Sequence, residues 1–472
     1  MNRVILSGSS DETILAVVEQ HRLVDLEIEQ QINTEIVGCI YKGIVKNIVP
    51  AVDGIFVDIG IGKNAFLRKK DLLNQKKFPT EGSPILVQVI KSDTDMKGAL
   101  IAEKISISGK YTIALSGTCY IGISKKIQQE SIRKRLKELG KEICAERMGL
   151  IIRTVAENAD MDEIRKDITR LKENWDIIQK RFRMEKSPTL LYRESDIIIK
   201  TLRDYVNKET EILITDDRKI YSRIYQLNET ERIISPDRIL LYEERVPLLE
   251  KEQIEEQIDL LFERQVELAS GGSLIIENTE ALTVIDVNSG SFNRRGIPHE
   301  EAVYLINREA AFEIARQVRL RGIGGMILID FIDMKKENQK RDIVQILRSE
   351  LKRDRVKSIV CGMTSLGLVE MTRKRTKHSL IKNYCDICPI CKGTGHILTV
   401  QSVIRRIYRE LDIAKRYGGE RTLVVRCHPD IAVLLKEEQK AGGGIKRFNR
   451  KIVIEENDHP NREVYSVLSS LE

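Results

Sequence analysis

Long apolar runs are missing from this chain. No segment holds the roughly 18 uncharged apolar residues that a membrane-spanning helix requires. The first residues, MNRVILSGSSDET, lack the apolar centre of a secretory signal, so the expected compartment is the cytosol. Cysteine is sparse and scattered: eight in 472 residues, with only three gathered near position 388. In a large chain without an export signal such cysteines are expected as reduced thiols or metal ligands, not disulfides. Internal repeats and low-complexity tracts are also lacking. A strong excess of one charge is absent, since the net charge is +7. Any attraction for a polyanion must therefore come from local clusters.

What is present is a charged, soluble-type sequence, 42% hydrophobic and 32% charged, long enough for three or four domains. Two basic clusters stand out, Arg373-Lys374-Arg375-Thr376-Lys377-His378 and Lys180-Arg181-Phe182-Arg183. Each reads either as a solvated face or as a phosphate-binding surface.

Two short strand-like segments each end in aspartate: Leu282 to Asn288, carrying Asp286, and Met326 to Asp330. Between them the spacing predicts a helix over about 299–320. Strand, helix and strand read as one βαβ unit. A right-handed crossover makes such strands parallel and brings their C-terminal ends to one sheet edge. Asp286 and Asp330 would then be neighbours, an oxygen-rich edge suited to Mg2+. The two-residue period puts Asn288 on the face of Asp286. The competing reading is that both aspartates are ordinary strand-end turn or capping residues.

From Ile36 to Ser108 short β-rich runs recur between glycines, which suggests a small closed barrel of OB type. Alternation in Ile55-Phe56-Val57-Asp58-Ile59 puts Phe56 beside Asp58, on the face away from the core. An exposed aromatic there would stack bases of a single strand, with Phe66 one strand later and Lys97 nearby. The alternative is that both aromatics are core. Residues 109–193 read as mixed, with Lys125-Lys126, a strand from Gly149 to Thr154 and a charged helix over 161–182. Residues 196–262 are expected to alternate strands (196–200, 211–215) with helices. After the βαβ unit come a helix (339–353) and a strand (357–362). A terminal module from Leu398 alternates helix and strand (403–416, 422–427, 429–440, 451–455), with a glycine loop at 442–444.

Cys388-Pro-Ile-Cys391 followed by Gly393 and Gly395 has the form of a zinc knuckle. A structural zinc takes four ligands. Cys385 offers a third and His396 a fourth; otherwise two chains contribute two thiolates each. A metal-free turn is the remaining alternative.

Taken together, these features resemble the ribonuclease E/G family of endoribonucleases. The likeness is carried by Ile40-Tyr-Lys-Gly43, Phe56-Val-Asp58, Gly149 to Thr154, Gly271-Gly-Ser273, Thr279 to Thr283, Ile285-Asp-Val-Asn-Ser289, Ile329 to Met334, Gly367 to Met371 and Cys388-Pro-Ile-Cys391.

The resemblance implies a multidomain α/β and β architecture. An S1 (OB-type) barrel (36–108) would be inserted in an RNase H-like subdomain (1–35 and 199–262). A 5′-sensor (109–198), a DNase I-like catalytic α/β subdomain (263–384), a zinc link (385–397) and a small C-terminal domain (398–472) would complete it. It implies Asp286 and Asp330 as Mg2+ ligands and catalytic residues, with Asn288 supporting them. Cys388 and Cys391 would share one Zn2+ between two protomers, with Cys385 as a third thiol beside them. Phe56, Phe66, Lys97, Lys125 and Lys126 would hold RNA. Gly109, Ile113, Arg153 and Thr154 would sense a 5′-monophosphate. The segment 290–292 departs from the family pattern, and Arg294-Arg295 would stand in for its basic stretch.

The expected activity is magnesium-dependent cleavage of single-stranded RNA, leaving 5′-phosphate and 3′-hydroxyl ends, in rRNA maturation and mRNA decay. The protein would be a homodimer through shared zinc, with pairing into tetramers left open, and would lack a degradosome scaffold tail. Six histidines, none paired, argue against a two-histidine route through a cyclic phosphate. The rival classes are a non-catalytic RNA-binding protein with structural zinc, and a zinc-dependent chaperone or scaffold.

Overall fold

The protein is described by a computed structural model. The described residues are 2–30, 36–75, 78–91, 98–143, 148–193, 197–207, 210–231, 233–290, 298–375, 379–417, 422–441, 445, 448 and 450–469. Lys97, Arg294, Arg295 and the glycine loop 442–444 lie outside them. The chain divides into two compact units, Met1–Asn383 and Tyr384–Glu472. Among the described residues, no helix is long and apolar enough to cross a membrane.

The first unit begins with three antiparallel strands, Asn2–Gly8, Glu12–Glu19 and Arg22–Gln30. Only the first was expected from the sequence. The last two are joined by Gln20 and His21, both with left-handed backbone (φ 50° and 63°). Such two-residue turns are usually announced by Asn-Gly or Asp-Gly, and neither residue gives that signal. On the other side of Asn2–Gly8 lie two parallel strands, Thr210–Thr215 and Ile239–Leu241. Residues some two hundred positions apart therefore share one sheet.

A second correction concerns the isoleucine run expected as a strand at 196–200. Ile197–Lys200 is helical and leads into a π-helical turn, Thr201–Tyr205. The Thr201 hydroxyl donates to the Ile197 carbonyl (2.6 Å); Ile197 is buried in the core, with Ile198 partly buried against it. Tertiary packing here overrides the β preference of branched residues.

Five strands between positions 40 and 102 close into a barrel. Ile40–Val49 pairs with Gly54–Asp58 on one side and with Pro84–Lys91 on the other. Ala65–Arg68 and Leu100–Ala102 complete the ring. Val45, Ile55, Val57, Leu67, Val87 and Ile101 fill it. Beside it, a four-stranded sheet (Ile121–Ile123, Met148–Ile152, Thr112–Ser116, Ser106–Ser108) packs against the helices Glu130–Ile143 and Met161–Met184.

The largest core belongs to a six-stranded sheet ordered Gln265–Glu267, Ser273–Asn278, Leu282–Asn288, Gly325–Asp330, Leu368–Arg373, Ser358–Met363. Four of its five pairings are antiparallel; only Leu282–Asn288 with Gly325–Asp330 is parallel. The cause is the crossover helix His299–Leu320. Its Val303, Ile306, Ala310, Ile314 and Val318 recur at helical spacing and bury one stripe against the sheet. The helix Glu337–Glu350 adds Ile343, Val344 and Leu347 to the same layer. Each fully buried isoleucine here contributes about 1.5–3 kcal/mol.

The second unit holds three strands in the order Ile452–Glu456, Leu423–Cys427, Ser466–Ser469, with helices Val400–Tyr417 and Pro429–Ala441 packed on them.

Candidate active site

Strand alternation sets which groups meet at the end of the parallel pair. Thr283, Ile285 and Val287 are buried, as are Ile327 and Ile329. The intervening residues Asp286, Asn288 and Asp330 therefore lie on the opposite, accessible face. Asp286 and Asp330 are direct register partners, one step beyond Ile285 and Ile329. Adjacent strands stand about 4.8 Å apart, so the two carboxylates share one patch. The Asn288 amide donates to Asp286 Oδ2 (2.9 Å), which orients that carboxylate.

The pair is electrostatically uneasy. Partial burial, then the charge of Asp286, then that of Asp333, push the Asp330 carboxyl above its ordinary range. A divalent cation between the carboxylates would remove that repulsion, and hard oxygen ligands of this number suit Mg2+. The segment following Asp330 is clamped from below. Asn307, wholly buried on the crossover helix, donates to the Ile332 carbonyl (2.7 Å) and accepts from its N–H (3.1 Å).

A second cluster forms around Arg153, just past the strand Met148–Ile152. Its guanidinium donates to the carbonyls of Gly109 (2.8 Å) and Lys110 (3.1 Å), and to Asp204 Oδ1 (3.2 and 3.3 Å). The Gly109–Thr112 turn that supplies these carbonyls is itself held by Asp167. That carboxylate, 5% exposed, accepts from the N–H groups of Lys110, Tyr111 and Thr112 and from the Thr112 hydroxyl. A side chain at Gly109 would put its Cβ 2.5 Å from the Asp167 carboxylate oxygens. Ile113 follows in the strand Thr112–Ser116, half-buried opposite Ile151. Thr154 and Ser124 share a hydroxyl hydrogen bond (2.8 Å). That contact brings Thr154 beside the turn bearing the exposed Lys125 and Lys126.

On the barrel, Phe56 and Phe66 are register partners on the outer face, their ring centroids 5.4 Å apart. Neither is core. Gly54 makes room for Phe66, since a Cβ there would lie 2.1 Å from Phe66 Cε2.

In the second unit, the thiol of Cys388 is pulled below its ordinary pKa by the backbone N–H groups of Cys391 and Ile390, then by the Cys391 side chain. Cys385 and Cys388 are exposed and Cys391 half-buried. Among the described residues no three His, Cys, Asp or Glu side chains gather as one metal cage. Cys388 and Cys391 therefore meet each other across this turn.

The ribonuclease E/G family pattern matches residues 106–376, more than half of the chain. Ribonuclease G of Escherichia coli (strain K12) is 35% identical over 455 residues, covering 92% of each chain. Ribonuclease G of Haemophilus influenzae is 33% identical and covers 98% of this chain and 99% of its own. The chain belongs to the ribonuclease E/G family. Ribonuclease E of Haemophilus influenzae is 33% identical over 99% of this chain, but the match spans 52% of that longer protein.

Three residues around these family motifs escaped the sequence reading. Asn307 interrupts the apolar stripe of the crossover helix, and that interruption is a usable signal. Asp167 likewise falls between Ile164, Ile168 and Leu171 on its helix. Asp204 follows Arg203 in a charged stretch and gives no signal at all. One basic cluster also needs correction. Its first member, Arg373, is a buried strand residue paired with Asp354 (2.7 and 3.2 Å). Only Lys374 and Arg375, among its described residues, are exposed.

Proposed function

We propose that this chain is a metal-dependent endoribonuclease that cuts single-stranded RNA and leaves 5′-phosphate and 3′-hydroxyl ends. The observation that carries this reading is the register pairing of Asp286 with Asp330 in a chain of the ribonuclease E/G family. Asp286 and Asp330 would hold Mg2+, with Asn288 fixing the Asp286 carboxylate. When bound, the ion supplies charge neutralisation at the scissile phosphate and polarises a water for in-line attack.

The remaining residues bind and orient. Phe56 and Phe66 give two rings on which successive bases stack, and Lys97, Lys125 and Lys126 would add cations for the RNA backbone. Single strands are favoured because only unpaired bases can be splayed onto such rings. Arg153 and Thr154, with Gly109 and Ile113 around them, would receive a 5′-monophosphate, since guanidinium grips phosphate with two parallel hydrogen bonds. Cys388 and Cys391 of each protomer would share one Zn2+, making a homodimer able to pair further into tetramers. The contact between Cys388 and Cys391 supports this, since two thiolates from each of two chains would complete a tetrahedral site. The sheets at 2–30 with 210–241, 40–102, 106–152 and 265–373 would be the RNase H-like, S1, 5′-sensor and DNase I-like parts. The cellular roles would be rRNA maturation and mRNA decay.

One incubation tests the central reading. A 5′-monophosphorylated single-stranded RNA is exposed to the protein in Mg2+, with and without EDTA. Cleavage in Mg2+ alone, giving fragments that ligate through a 5′-phosphate, is expected. Binding without turnover in Mg2+ would reduce the protein to a non-catalytic RNA binder.

A further inference from the structure

Asp204 lies in the π-helical turn Thr201–Tyr205, far in sequence from both the phosphate cluster and the catalytic sheet, yet it touches a part of each. Its carboxylate, 8% exposed, is shared by two arginines. Arg203 donates to Oδ2 (3.0 and 2.8 Å) and Arg153 to Oδ1 (3.2 and 3.3 Å). Burial raises the Asp204 pKa, but Arg203 and then Arg153 outweigh it and hold the group ionised. A phosphate arriving at Arg153 would compete with Asp204 for the same guanidinium edge.

The backbone of the same turn is gripped from the catalytic side. Arg355, in the loop after the helix Glu337–Glu350, donates to the Asp204 carbonyl (2.7 Å) and to Asp25 (2.8 Å). Its guanidinium carbon lies 3.6 Å from the centre of the Tyr205 ring. The preceding residue, Asp354, is the buried partner of Arg373. Arg373 also donates to the Ile323 carbonyl (2.8 Å) and pairs with Gly325, the first residue of the strand that ends in Asp330. Single π-turns are rare and, where they occur, are frequent at functional sites.

We propose that Asp204 and Arg355 are positioning residues that couple occupancy of the Arg153 site by a 5′-phosphate to the catalytic sheet. The contact route runs from Arg153 to the Asp204 side chain, through the π-turn to Arg355, and through Asp354 and Arg373 to the strand of Asp330. This rests on the sensing reading above. Arg355 touches neither substrate nor metal; it transmits.

The test compares cleavage of one RNA carrying either a 5′-monophosphate or a 5′-hydroxyl, with wild type, Arg355→Lys and Tyr205→Leu. Lysine keeps the charge beside Asp25 but loses the planar stack and the second hydrogen bond. Wild type is expected to cleave the phosphorylated RNA faster. In both variants that ratio should fall by about fivefold or more, the size of ordinary allosteric coupling, while the 5′-hydroxyl rate stays within about twofold. Binding of the phosphorylated RNA in EDTA should be unchanged. A ratio preserved in both variants overturns the coupling alone, and so does an equal loss on both RNAs, which marks a merely structural contact. A wild-type ratio of one overturns the sensing reading and this proposal with it.

Discussion

Asp286 and Asp330 are paired across the single parallel junction of an otherwise antiparallel sheet. Parallel pairing puts both strand ends at one edge; an antiparallel pair would have sent them to opposite edges. The helix His299–Leu320 is the reason the junction exists.

From that relationship, Asp286→Ala and Asp330→Ala should each abolish Mg2+-dependent cleavage while RNA binding persists. Asn288→Ala should weaken activity by roughly 10–100-fold, as loss of a ligand-orienting partner does. Because the carboxylates repel, Asp330→Asn should raise the melting temperature of metal-free protein. Mg2+ should then stabilise wild type and not this variant. Calorimetry with and without the ion reads both effects. A variant that cleaves normally removes the residue from the site.

The Phe56–Phe66 pair predicts a different signature. Phe66→Ala should weaken binding of a short single-stranded RNA by about 1–3 kcal/mol, the usual worth of one stacked base. Gly54→Ala should do nearly the same by displacing the Phe66 ring, without removing an aromatic. Fluorescence anisotropy against a double-stranded control would show whether the loss is confined to single strands.

Cys388→Ser should release zinc and convert dimers to monomers. Light scattering together with metal analysis checks this. An unchanged mass would refute the shared-zinc arrangement.

Asp204 sets an acid limit. Its pKa is lower in the folded state than its ordinary value of 3.8. Its stabilising contribution is therefore complete above the unfolded pKa, and it is lost as pH falls through the folded one. Asp204→Asn should narrow the stability difference between pH 6 and about pH 3 relative to wild type. Urea midpoints across that range test it, and an unchanged pH profile would deny the ion pairs a role.

The sequence alone was enough to read whatever a local period or spacing encodes. Alternation put Asp286 and Asn288 on one face and Phe56 opposite the barrel core. The helical stripe from Val303 to Val318 announced the crossover, and hence the meeting of two aspartates 44 positions apart. Cys388-Pro-Ile-Cys391 announced its own turn. Contacts that no local pattern encodes were decided only by the tertiary structure. The hairpin at Gln20-His21 carries no turn residue that would announce it. The isoleucines at 197–199 prefer a strand and are helical because Ile197 and the turn after it pack into a core. Arg373 reads as surface charge until folding places Asp354 beside it. Asp204 has no sequence period to mark it. It matters because Arg153 reaches its carboxylate and Arg355 its backbone carbonyl, and such convergence of distant segments on one turn is a property of the folded chain.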